Sequence, residues 1–385
     1  MNTLSDSDWL LAPHSHSSYP KSKEEFNVKT SLFRRNDIPV TLYHPKVPSD
    51  FALEDDVAYL SSGWTERKLE PLARAVADVG MHSACFDHPR RGAIRDLGHL
   101  LITSPLLIRN WHQFSHAILE EKDIAHAEAI MMDMLSNTID DKADQKRVIS
   151  GAINAGKARV ENVTAVLEEL TDRGYKTHGL GHSLGGIDLV MAASQHPDAI
   201  QSYTLAGSGG LVNADSVDEI VPRIIKTVVH ERTELINSPL ELARMAINTI
   251  VFISQNPALI LYEGGYAATS RLEGSLWKLA DDYKKPGVLI IGKNDPLFTE
   301  EKVLTSVGNV PFSEVVRLEA GHNMTLHQRR AIARILGNIA FDLHNLRSGR
   351  LEGRLRNLLE VRKKSRPGLE ITEQDVTGDL MYGQV

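Results

Sequence analysis

Gly181-His182-Ser183-Leu184-Gly185-Gly186 is the stretch whose reading decides the fold. It has the form Gly-x-Ser-x-Gly and lies between a strand-like run, Tyr175 to Leu180, and an apolar helical run, Ile187 to Ala193. That setting predicts a strand–turn–helix elbow that presents the serine oxygen at a helix N-terminus. Glycines two before and two after the serine remove the side chains that would collide at such a turn. Backbone N–H groups there would favour negative charge developing beside the serine. A rival reading takes Gly179-x-Gly181-x-x-x-Gly185 as a loosened dinucleotide fingerprint. That fingerprint needs an acidic residue roughly 20 positions on, at the end of the next strand, to hold a ribose. The next strand, Ser202 to Ala206, runs instead into Gly207-Ser208-Gly209-Gly210. No cofactor and no metal is expected.

Outward from the elbow, short strands alternate with helices. Phe26 to Tyr43 reads as a hairpin around Arg34-Arg35-Asn36-Asp37. The strand Val57 to Leu60 ends in Ser61-Ser62-Gly63-Trp64, and a helix follows over Leu69 to Val79. The strand Ser83 to Phe86 delivers Asp87-His88-Pro89-Arg90-Arg91-Gly92, and the helix Val163 to Thr171 leads into the elbow strand. Beyond Ser202 to Ala206 come the strands Val288 to Ile291 and Glu314 to Leu318, then a last helix, Arg329 to His344. Connections of the crossover kind imply a right-handed, mainly parallel sheet. Two long stretches carry no strand, Ala93 to Ala158 and Leu211 to Tyr283. Within the first, Gly151-x-x-x-x-Gly156-Lys157 imitates a phosphate loop, but Ala158 stands where a magnesium-binding hydroxyl is required.

A serine hydroxyl needs a base to take its proton and a third group to hold that base. In an open α/β sheet these helpers belong just past strand ends. Asp295 follows the strand Val288 to Ile291, and His322 follows Glu314 to Leu318, giving the chain order Ser, Asp, His. The rivals are Asp215, nine residues beyond its strand, and His327, where the last helix begins. Two backbone N–H donors are needed for an oxyanion: Leu184, next to the serine, and Trp64, in the loop after Val57 to Leu60. Asp87 and Arg91 read as a structural brace beside the site.

The Gly-His-Ser-Leu-Gly-Gly elbow, the Gly-x-x-Asp-Pro acid and the Gly-His base resemble the α/β-hydrolase fold superfamily. Ser62-Gly63-Trp64 is similar to its oxyanion loop, with Ser62 in place of the usual His, and Asp87 to Gly92 to its Asp-x-x-Gly turn. The resemblance covers roughly residues 26–92, 160–207 and 285–344. It implies a mainly parallel eight-stranded sheet flanked by helices, with a core over 26–210 and 284–344. A helical cap would occupy 211–283, and 93–158 would be an additional helical insertion. Leu242, Met245, Ile250 and Phe252 would line an apolar pocket under the cap. Serine at position 183 speaks against dehalogenase or epoxide-hydrolase chemistry, where an aspartate stands.

Composition narrows the class further. The chain has 385 residues, 42% hydrophobic and 24% charged, as an ordinary globular protein has. A net charge of −7 argues against nucleic acid as a partner. No apolar run approaches the roughly 20 residues of a transmembrane helix. The lone Cys85 and the polar N-terminus fit a reducing, cytoplasmic setting. Residues 1–25 read as a loose arm. Residues 345–366 hold eight Lys or Arg against two Glu, with leucines interleaved, and read as a basic amphipathic helix before an acidic tail. That helix and the insertion are the candidate surfaces for a homo-oligomer, and a small-molecule ester is the expected substrate. The function expected is hydrolysis of a carboxylic ester of a small or medium apolar substrate through an acyl-enzyme. The alternatives are thioester or carbon–carbon hydrolysis, acyl transfer, lyase chemistry, or a ligand receptor on the same fold.

Overall fold

The structure is a computed structural model that describes residues 22–29, 38–45, 53–63, 69–88, 159–211, 223, 270–308 and 310–347. Eight strands form one open sheet: β1 (Lys23–Val28), β2 (Ile38–Tyr43), β3 (Asp56–Ser61), β4 (His82–Phe86), β5 (Lys176–His182), β6 (Ser202–Ala206), β7 (Gly287–Gly292) and β8 (Glu314–Leu318). Their spatial order is β1-β2-β4-β3-β5-β6-β7-β8. β2 pairs antiparallel with β1 and β4, and every other pairing is parallel. The central strands β3, β6 and β7 are buried along their whole length, as strands covered on both faces must be. β1 lies at the edge, where Lys23, Glu24 and Glu25 stay in water and discourage pairing with another chain.

The side-chain alternation of each strand feeds two cores. Val57 and Tyr59 of β3 point to one face, Ala58 and Leu60 to the other. The first face is covered by α2 (159–172), α3 (Leu184–Gln195), α4 (Glu273–Trp277) and α5 (Glu300–Val307). The second is covered by α1 (Glu70–Asp78) and α7 (Arg329–Arg347), with the short α6 (Met324–His327) between sheet and α7. Leu72 and Val76 of α1, four apart, share the face that packs with Ile332, Ile335 and Leu336 of α7 in this second core. Burial of each such side chain contributes about 1.5–3 kcal/mol relative to exposure.

Two boundaries differ from the expectation. β1 starts at Lys23, inside the stretch read as a loose arm, because pairing Lys23 with Tyr43 needs only backbone and leaves no apolar signature. Residues 270–283, read as the end of a cap, belong to the body. Leu272, Leu276 and Leu279 are fully buried in the first core, α4 continues as a π-helical turn (Lys278–Asp282), and Leu272 N–H bonds Gly210 C=O at 3.2 Å. An apolar stripe looks the same whether it meets a substrate or a sheet. The remainder of 211–283 apart from Leu211 and Arg223, the insertion 93–158 and the tail beyond 347 lie outside the described residues, as do Trp64, Arg91, Asp215, Leu242, Met245, Ile250 and Phe252.

The glycines around the elbow give a direct test of close packing. A Cβ on Gly185 would stand 2.4 Å from Ser61 O and 2.6 Å from Ser62 O, both backbone atoms. Gly185→Ala is therefore expected to lower stability by about 1–3 kcal/mol. A Cβ on Gly274, in α4, would meet nothing within 4 Å, so Gly274→Ala should be neutral or add up to about 1 kcal/mol. Urea unfolding of the two variants checks the contrast.

Candidate active site

β5 ends at His182, and α3 begins at Leu184, so the whole reversal falls on Ser183. Its backbone sits at φ 52°, ψ −124°, a region costing a non-glycine residue on the order of 1–3 kcal/mol. Neighbours hold it there. Ser183 N–H bonds Ala206 C=O of β6 at 3.3 Å, and Ser183 C=O accepts from Gly186 at 3.1 Å and Gly209 at 2.9 Å. The glycines are as necessary as the hydrogen bonds. A Cβ on Gly181 would lie 2.4 Å from Gly186 Cα, and one on Gly186 would lie 1.8 Å from Ser208 Oγ. Gly179, the first glycine of the rejected fingerprint, faces Leu189 and Ile200 and lets α3 settle on the sheet.

Asp295 and His322 arrive on the loops after β7 and β8. Those loops are stitched together, with Lys293 N–H on Leu318 C=O at 2.9 Å and Asn294 N–H on Ala320 C=O at 3.1 Å. His322 Nδ1 lies 3.0 Å from Asp295 Oδ2, and His322 Nε2 lies 3.1 Å from Ser183 Oγ. Asp295 Oδ1 accepts from the backbone N–H groups of Leu297 at 2.8 Å and Phe298 at 3.0 Å. Burial alone would raise the Asp295 carboxyl, but the charge and hydrogen bond of His322, with those two N–H groups, hold it below its ordinary value. An ionised Asp295 only accepts, so Nδ1 carries the proton, Nε2 offers its lone pair, and the Ser183 hydroxyl donates to it. Ser183 is 9% exposed and His322 8%, so neither is fully sealed from solvent.

Of the predicted residues, Ser183, Asp295 and His322 are brought together. Leu184 stands at the first turn of α3, with no acceptor for its N–H among the described residues. The backbone of Ser61 and Ser62 presses on Gly185, which places the start of that loop beside the first turn of α3. His327 ends α6 and takes no part in the chain of hydrogen bonds to Ser183. Among the described residues no group of three His, Cys, Asp or Glu could hold a metal ion, and no helix is long and apolar enough to cross a membrane.

Sequence reasoning missed three side chains here. His182, inside the elbow motif, points its Nε2 at the backbone carbonyl of His322 at 2.9 Å; a carbonyl only accepts, so Nε2 donates. It ties the end of β5 to the loop of the base. Arg159 of α2 and Asp188 of α3 form a buried ion pair, Nε to Oδ2 at 2.9 Å and Nη2 to Oδ2 at 2.7 Å. Burial pushes the Asp188 carboxyl up against the pull of Arg159. The brace expected of Asp87 and Arg91 rests on a residue outside the described ones. The adjoining His88 has its Nε2 3.7 Å from Asp188 Oδ2. An Asp five residues after the serine, on an otherwise apolar helix, was the available signal.

A second serine–histidine–aspartate chain lies at the opposite end of the strands. His178 Nδ1 is 2.8 Å from Ser202 Oγ, and His178 Nε2 is 2.8 Å from Asp56 Oδ1. Exposures of 2% for Ser202 and 0% for His178 and Asp56 seal it from any substrate. It staples β3, β5 and β6 where they begin.

An open, mainly parallel eight-stranded sheet with this strand order, a strained serine elbow after β5, and Asp295 and His322 past β7 and β8 define the α/β-hydrolase fold. Solved structures resemble it at that level. An esterase from Exiguobacterium antarcticum is 13% identical, with a TM-score of 0.48 over 82% of this chain and 99% of its own. An enol-lactonase from Burkholderia xenovorans LB400 is 13% identical, with a TM-score of 0.47 over 81% and 98%. A membrane phospholipase A, a bacterial virulence factor, is 14% identical, with a TM-score of 0.49 over 84% and 87%. Neither a protein-family model nor a curated protein matches the sequence.

The two serine–histidine–aspartate chains make separable predictions. Ser202→Ala should lower stability by roughly 1–3 kcal/mol, by stranding a buried partner, and leave reactivity at Ser183 unchanged. Folding depresses the pKa of Asp295, so the stability it adds is present above the ordinary aspartate value of about 3.9 and lost as pH falls through the folded value. The stability gap between wild type and Asp295→Asn should therefore narrow on acidification below about pH 4. Urea midpoints across that range check it; a constant gap would mean that Asp295 is not held ionised.

Proposed function

We propose that this protein is a serine hydrolase that cleaves a carboxylic ester of a neutral, apolar substrate through an acyl-enzyme. The observation that carries the reading is the unbroken chain Ser183 Oγ, His322 Nε2, His322 Nδ1, Asp295 Oδ2, with the serine in a strained elbow at a helix start. Ser183 Oγ attacks the ester carbonyl carbon as His322 Nε2 takes its proton. The carbonyl π electrons move onto oxygen, which is met by the Leu184 N–H and a second donor from the Ser62–Trp64 loop. Collapse of that intermediate breaks the bond to the alkoxy oxygen, and His322 returns the proton to the departing alcohol. Water then repeats the attack on the acyl-enzyme and releases the acid. Asp295 stays ionised and fixes the tautomer of His322; it neither gains nor loses a proton.

Fluorophosphonate labelling followed by peptide mapping tests the nucleophile. The label should sit on Ser183, and Ser183→Ala should abolish it; a label on another serine overturns the assignment. Asp295→Asn should lower kcat by up to about 10⁴-fold while the fold persists. With Asp295 held below its ordinary pKa, kcat/KM should fall on acidification as the His322 imidazole gains a proton and ceases to act as base. A limb falling only near pH 4 would assign the base role to a carboxylate. Turnover of nitrophenyl esters from acetate to octanoate, against none, separates an enzyme from a ligand receptor.

A further inference from the structure

Oxyanion stabilisation requires donors from two separate elements, the start of α3 and the loop after β3, to hold a fixed spacing. A charged side chain touches both. The Arg159 guanidinium grips Asp188, one turn into α3, with Nε at 2.9 Å and Nη2 at 2.7 Å. The same Nη2 reaches the Ser62 carbonyl of the loop after β3 at 3.4 Å. Arg159 is 5% exposed, Asp188 0% and Ser62 2%, so water does not compete for these contacts. His88, past the end of β4, closes the cluster with Nε2 3.7 Å from Asp188 Oδ2.

Stability alone is a poor reason for such a pair, since well-packed apolar residues usually serve a core as well or better. Geometry supplies another reason. The Ser62 carbonyl and the Gly63 N–H belong to one rigid peptide plane and point in opposite directions. Anchoring the carbonyl to a group fixed on α3 therefore sets the orientation of the Ser62–Gly63 peptide relative to the Leu184 N–H. Lysine could answer the charge of Asp188 but lacks the planar fork that holds two acceptors at once.

We infer that the buried Arg159–Asp188 pair is the positioning element of the oxyanion site, clamping the Ser62 carbonyl to α3 and so fixing the Ser62–Gly63 peptide relative to the Leu184 N–H. This rests on the serine-hydrolase reading above. The test uses p-nitrophenyl butanoate and its thiono counterpart, in which sulfur replaces the carbonyl oxygen. Sulfur is larger and a weak acceptor, so it gains little from N–H donors spaced for oxygen. The wild-type rate ratio of ester to thionoester therefore reports the oxyanion contacts rather than the nucleophile.

Two variants are compared with wild type in the full chain. The double variant Arg159→Met with Asp188→Leu removes both charges and leaves neither uncompensated. Arg159→Lys keeps the charge and loses the fork. Each should retain KM within about twofold, lower kcat about 10- to 100-fold, and lower the ester to thionoester ratio by a comparable factor. A folded variant with wild-type kcat, or with reduced kcat and an unchanged ratio, overturns the inference. If the double variant fails to fold, Arg159→Lys alone decides by the same criteria. Wild-type protein that neither hydrolyses the ester nor takes a fluorophosphonate label overturns the hydrolase reading itself, which separates the two failures.

Discussion

The backbone of Ser183 is the constraint on which the rest of the site depends. One residue must reverse the chain between β5 and α3, and it does so in a conformation that a serine does not adopt without compulsion. The compulsion comes from three sides. β6 holds its N–H, Gly186 and Gly209 hold its carbonyl, and a packed sheet leaves no room for relaxation. A strained residue held this firmly presents its side chain in one direction, and the strain is offset by the burial of the two helical layers around it. The same crowding explains why Gly181, Gly185 and Gly186 cannot carry even a methyl group without moving backbone or Ser208.

Everything else in the site is positioned relative to that fixed point. The loops after β7 and β8 are joined by backbone hydrogen bonds before their side chains meet, so Asp295 and His322 are aligned by the main chain first. His182 then fastens the base loop to the elbow strand itself. Polar contacts of this kind are worth only about 0.5–1.5 kcal/mol each in stability. Their larger effect is on geometry, where an error of about 1 Å can cost on the order of 10²-fold in rate.

The sheet carries two serine–histidine–aspartate chains with similar distances, one at each end of the strands. What separates them is the path to solvent and the backbone beneath the serine. Ser202 opens an ordinary strand and is sealed; Ser183 is strained, partly exposed and at the start of a helix. Hydrogen-bond geometry alone does not distinguish the sealed chain from the partly exposed one.

The sequence by itself determined the elbow, the alternation of buried strands and helices, and the places of Asp295 and His322 just past the ends of their strands. These are local signals: small residues where a turn is tight, apolar runs of strand length, and polar residues just past strand ends. The strand Ser202 to Ala206 and the strand Glu314 to Leu318 were legible to the residue because each is bounded by turn-forming neighbours. Only the tertiary structure decided what lies between distant segments. Arg159 and Asp188 are 29 residues apart, and Arg159 and Ser62 are 97 apart, with no pattern in either segment pointing to the other. Leu272, Leu276 and Leu279 lie at the end of the stretch expected as a cap and pack in the first core, because periodicity states that a face is buried but not against what. β1 began earlier than its apolar residues do, because an edge strand is held by backbone pairing, which side-chain patterns do not record.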